Sequence, residues 1–176
     1  MEKLIVIGIL MVFFGAVFAL IHFNYRREMR DRAQRLPTLD DQIDVLTRAG
    51  LTISPGLGRD DFLAWGPEHS YAHDPWRLIL LTLACRTEQP EGRPFSPRAA
   101  LLDTTAAVDT KELARVTGHT TQATTLDAAL ADCAAHVSEG SGLYTLENGT
   151  DLAVFVLPDQ GAAQINARYP GLLERV

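Results

Sequence analysis

Cysteine is scarce in this chain: Cys85 and Cys133 are the only two in 176 residues. Two thiols close at most one bridge, which excludes a disulfide scaffold. Both sit in apolar runs that read as helix, LILLTLAC and LDAALADC, and are expected as small buried core residues. Lysine is nearly absent, at Lys3 and Lys111 only; the other basic residues are arginine, a bias typical of GC-rich bacterial coding.

The motifs of common chemistries are also missing. Ser138-Glu139-Gly140-Ser141-Gly142 lacks the G-x-S-x-G spacing, and its serines precede a hairpin instead of following a strand into a helix. Gly56-Leu57-Gly58 is a lone GxG followed by Arg59-Asp60-Asp61, whose carboxylates would repel a phosphate. Cys133 and His136 are three apart, which gives proximity without the exposed electropositive setting that a reactive thiol needs. His69 and His73, in EHSYAHD, would share a helix face. They lie between Gly66-Pro67 and Asp74-Pro75, however, and so read as loop, without the HExxH order. No catalytic residue, cofactor site or metal site is assigned, and the chain is expected not to be an enzyme.

Charge is the main compositional signal. Residues 37–176 hold 10 basic and 19 acidic residues, a net of −9, whereas residues 24–36 carry a net of +3. An acidic body would approach a polyanion against its own field, so nucleic acid is excluded as a partner and a basic protein surface is favoured.

Residues 4–23, LIVIGILMVFFGAVFALIHF, are uncharged and apolar. Twenty helical residues rise roughly 30 Å, the thickness of a bilayer's hydrocarbon core. The reading is a transmembrane anchor over residues 1–23, then a basic juxtamembrane helix over 24–36 that ends at Pro37. A cleaved signal peptide, with Val17-Phe18-Ala19 as its cleavage site, is the competing reading. The arginines after the run place that side in the cytoplasm. The expectation is a single-pass bacterial inner-membrane protein, N-terminus out and C-terminal domain cytoplasmic. It contacts lipid through residues 4–36, with Arg26, Arg27 and Arg30 at the membrane surface.

Thr38 is a candidate N-cap for a helix over 38–49, with Asp40 and Asp41 in its first turn. Leu51-Thr52-Ile53 reads as a short extended piece, and Asp60-Asp61 opens a short helix through Trp65. Asp74-Pro75 caps the next helix, whose body WRLILLTLAC is apolar nearly all round and is expected to be the central helix of the core. Ala99 to Leu102 is a possible strand, Lys111 to Val116 one or two helical turns before Gly118, and Leu126 to Ala135 a helix. GLYTLENGTDLAVFVL, residues 142–157, reads as a C-terminal β-hairpin turning at Asn148-Gly149 in a type I′ turn. A short terminal helix over 160–176 is interrupted by Pro170-Gly171. With no βαβ alternation and no internal repeat, the fold class is α+β: an N-terminal transmembrane helix, then a small domain over 37–176 with a central apolar helix and a hairpin.

Trp65, Tyr71 and Trp76 flank an irregular stretch ringed by Asp60, Asp61, Glu68 and Asp74. Asp60, Asp61, Trp65, Glu68, Tyr71 and Asp74 form the candidate partner site, because exposed aromatics make good interface anchors.

Residues 49–65, AGLTISPGLGRDDFLAW, with residues 74–84, DPWRLILLTLA, resemble a pattern in small uncharacterised bacterial domains. Some of these are regarded as immunity proteins of polymorphic or contact-dependent toxin systems. The resemblance rests mainly on turn and capping residues and implies a role in binding a basic partner. Two other readings stand beside it. One is an accessory or assembly subunit of a bacterial membrane complex, whose Gly8 and Gly15-Ala16 would let two spans pack closely. The other is a metal-dependent enzyme using the His69/His73 loop.

Overall fold

The computed structural model describes residues 14, 15, 17, 18, 21–26, 37–57, 61, 74–87 and 92–176. The chain divides into two units, residues 1–36 and residues 37–176.

In the first unit the described residues are helical and exposed. No helix among the described residues is long and apolar enough to cross a membrane. This overturns the expected transmembrane anchor. The single-pass inner-membrane location and its orientation fall with it. Of the arginines expected at the membrane surface, Arg26 is an exposed helical residue, and Arg27 and Arg30 lie outside the described residues.

The second unit is an antiparallel α+β domain. Its described elements are α1 (Leu39–Arg48), α2 (Pro75–Ala84), β1 (Ala99–Asp103), α3 (Thr110–Thr117), α4 (Leu126–Ala135), β2 (Ser141–Asn148), β3 (Asp151–Pro158), α5 (Asp159–Arg168) and β4 (Glu174–Arg175). The strands form one sheet in the order β1-β3-β2-β4, and each pairing is antiparallel.

Local chemistry explains where the helices start. Thr38 caps α1 in a reciprocal box: its Oγ1 accepts from Asp41 N at 3.1 Å, and its N–H donates to Asp41 Oδ2 at 3.3 Å. Asp74 Oδ1 accepts from Arg77 N at 3.1 Å at the head of α2, with Pro75 in the first turn. Asp109 Oδ1 accepts from Glu112 N at 3.0 Å at the head of α3.

Strand β3 is the centre of the core. Ala153, Phe155 and Leu157 point to one face, and Leu152, Val154 and Val156 to the other. Helices cover both faces. Leu39 and Leu46 of α1, Ile79, Leu80 and Leu83 of α2, and Ala162 and Ile165 of α5 fill the first core. Leu113 and Val116 of α3, with Ala129, Leu130 and Cys133 of α4, fill the second. Each large apolar side chain buried this way stabilises the fold by about 1.5–3 kcal/mol. The expected central helix is therefore one wall of the first core: Trp76, Leu78 and Leu81 of α2 are only half-buried. The continuous apolar run LAVFVL was the true sign of the centre, because a strand covered on both faces has no polar side to alternate.

Residues 51–53 join no strand; Leu51 is fully buried and Ser54 N donates to Phe95 O at 2.8 Å. Two further readings are corrected. The hairpin turns at Gly149-Thr150, with Asn148 opposite Asp151. Gly149 has φ +66° and no non-glycine residue among the described residues, Thr150 included, has positive φ, the sign pattern of a type II′ turn and not I′. After α5 the chain does not end as helix: β4 adds to the sheet edge, with Thr145 opposite Glu174 and Tyr144 opposite Arg175.

Candidate functional site

Two places among the described residues of 37–176 gather polar chemistry. The first is a cleft of about 280 Å³ where the head of α2, the end of β2, the loop after α5 and β4 meet. Asp74, Arg77, Thr145, Glu147, Tyr169 and Glu174 line it with polar groups. Arg77 is turned onto the carbonyl oxygen of Glu147. Tyr169 OH donates to Asp74 Oδ2 at 3.4 Å. The side chains of Glu147 and Glu174 are exposed and make no ion pair with another described residue. Small-molecule sites run to about 300–1,000 Å³, so this volume suits a single side chain better than a cofactor.

Of the two sequence-derived partner residues that are described, Asp61 and Asp74, the cleft contains Asp74. Asp61 is helical and half-buried. Asp60, Trp65, Glu68 and Tyr71 lie outside the described residues, as do His69 and His73. Trp76 is half-buried against the first core, with the Arg168 guanidinium 6.0 Å from its ring centroid. Arg77, Glu147, Tyr169 and Glu174 escaped the sequence reading because they come from segments up to about a hundred positions apart and carry no motif.

The second place is a group of His119, Asp132 and His136 on the side of α3 and α4. Gly118 ends α3 in the left-handed conformation, with φ +75°, and turns the chain toward α4. Thr117 Oγ1 accepts from His119 N at 3.2 Å and fixes that turn. His119 Nε2 lies 3.2 Å from Asp132 Oδ2, and His136 Nδ1 lies 3.5 Å from Asp132 Oδ1. The two imidazole rings stack with centroids 3.7 Å apart and planes 3° from parallel. Hydrogen bonding from Thr121, then from His119, holds the Asp132 carboxyl below the ordinary carboxylate range. The sequence offered one usable signal here: Asp132 and His136 stand four apart at the end of an expected helix, hence on one face.

The thiols lie on opposite sides of the sheet. Cys85 packs against the first core and Cys133 is buried in the second, and both are free. Burial pushes both thiols up from their usual range, the opposite of what a nucleophilic cysteine requires.

No family model, curated protein or solved structure matches this chain.

Proposed function

We propose that residues 37–176 form a non-enzymatic interaction domain that binds a basic protein partner, in the manner of an immunity protein neutralising a basic toxin. The observation that carries this reading is the unequal use of the two charge signs. Several described guanidinium groups are turned onto the domain itself, whereas Arg98 and Lys111 are exposed and form no ion pair with another described residue. Arg48 donates to Asp44 O, Arg93 to Pro55 O, and Arg115 to Ala99 O and Glu112. Arg86 pairs with Glu112, and Arg175 with Asp159. By contrast, Asp127, Glu139, Glu147 and Glu174 are exposed and form no ion pair with another described residue. Together with the net charge of −9 over residues 37–176, these exposed carboxylates steer a basic surface into contact.

The cleft supplies a seat for one arginine or lysine side chain. Asp74, Glu147 and Glu174 ring it, and Tyr169 offers an aromatic wall. The test is capture from the source cell on the full-length chain, repeated with Asp74→Lys and Glu174→Lys. The expected result is a basic protein that elutes as salt rises above physiological strength, where screening acts within about 8 Å, and that both substitutions weaken. Retention of no protein, or retention indifferent to salt and to both substitutions, would remove the reading.

A further inference from the structure

We infer that His119, Asp132 and His136 form a binding site for a divalent transition-metal ion of the zinc type. Nothing in the partner-binding reading requires this site, and it shares no residue with the acidic cleft.

One nitrogen from each histidine and one carboxylate oxygen of Asp132 all lie within 4.8 Å of one another. Around a tetrahedral ion with bonds of about 2.0–2.1 Å, ligand atoms stand about 3.3 Å apart. The 3.2 Å from His119 Nε2 to Asp132 Oδ2 already matches that edge. The remaining adjustment falls to His136. Its ring lies parallel to that of His119, and the in-plane lone pairs of parallel rings do not converge on one point. The side chain of His136 is 52% exposed, so its ring is free to turn toward the ion without disturbing the core. Metal binding therefore opens the stack.

The surroundings prepare the ligands. His136 Nδ1 lies 2.8 Å from the backbone oxygen of Asp132. A carbonyl oxygen only accepts, so in this contact Nδ1 is the donor, and Nε2 is the nitrogen that a neutral ring offers to an ion. Thr121, itself buried, holds the Asp132 carboxylate, and Thr117 holds the backbone of His119. Partners of this kind orient metal ligands and fix their tautomers. Two imidazoles with one carboxylate suit zinc and its neighbours better than calcium or magnesium, which take mainly oxygen. Three protein ligands leave at least one position for water.

The experiment is equilibrium dialysis of the full-length chain against Zn²⁺ with elemental analysis, alongside Co²⁺ titration followed by visible absorption. The expected result is one ion per chain. His136→Ala and His119→Ala should each weaken affinity at least tenfold, with unchanged far-ultraviolet circular dichroism. Because His136 is exposed at the end of α4, its variant folds irrespective of metal and keeps the test decisive. Absence of stoichiometric metal, or binding that survives both substitutions and disappears in His69→Ala/His73→Ala, would overturn the inference.

Discussion

Gly161 stands so close to the end of α1 that a Cβ on it would lie 1.9 Å from the carbonyl oxygen of Ala49. The contact is with backbone, which cannot rotate away. Here α5 approaches α1 closely because a hydrogen atom takes the place of a side chain. Gly161→Ala is therefore expected to push α5 off the first core and to lower unfolding free energy by about 3 kcal/mol, the upper part of the usual overpacking range. Urea unfolding followed by circular dichroism measures it. A midpoint equal to that of the parent would show that the two helices do not meet this closely.

Asn166 acts as a stand-in for a strand. Its Nδ2 donates to Leu173 O at 2.8 Å, and its Oδ1 accepts from Leu173 N at 2.9 Å. These bonds deliver the chain to β4, which has only two residues of its own. Asn166→Ala is expected to cost about 1–2 kcal/mol for the lost pair. It should also release β4, giving faster amide exchange at Val176, whose N–H bonds Leu143 O at 3.0 Å. Since Glu174 borders the acidic cleft, binding of the basic partner should weaken in the same variant.

Acid should loosen the link between α3 and the segment that follows α2. Partial burial works to raise the Glu112 carboxyl, but hydrogen bonds from Arg115 and Arg86, together with their charges, hold it below the ordinary range. A carboxyl lowered on folding contributes stability above its unfolded pKa of about 4.3, and that contribution is lost as pH falls through the folded value. Thermal melts of the parent and of Glu112→Gln should differ most at neutral pH and converge in acid. A gap between them that does not change with pH would contradict this assignment.

Neither thiol should react readily in the native state. Cys133 is fully buried and Cys85 half-buried, and burial raises both. With Ellman's reagent near pH 7.5, Cys133 should react only on unfolding, and Cys85 slowly. Non-reducing mass analysis should find no internal bridge, because the sheet separates the two cores in which the cysteines pack. A fast reaction of two equivalents would show that this packing is wrong.

Much of the domain's local structure was legible in the sequence, for reasons that act over a few residues. Thr38, Asp74 and Asp109 sit where a short polar side chain can cap a helix, and the first two were readable as caps directly. The hairpin was legible because two β-prone runs flank a glycine. Its turn was displaced by one residue, because pairing Asn148 with Asp151 leaves Gly149 as the residue at positive φ. The apolar run 4–23 shows the opposite case. Its hydropathy alone suggested a span, while no helix among the described residues is long and apolar enough to cross a membrane.

By itself the sequence determined the helix starts, the hairpin, the acidic character of the body and the apolar identity of the runs that became α2 and β3. Only the tertiary structure decided which run lies at the centre: a solid apolar stretch marks burial on every side, whether as helix or strand, and pairing in a sheet settles which. Tertiary structure also decided the polar sites. Asp74 meets Glu147 and Glu174, and His119 meets Asp132, through folding of segments that local periodicity does not couple. Capping and periodicity act over a few neighbours, whereas those meetings depend on helices docking on two faces of one sheet.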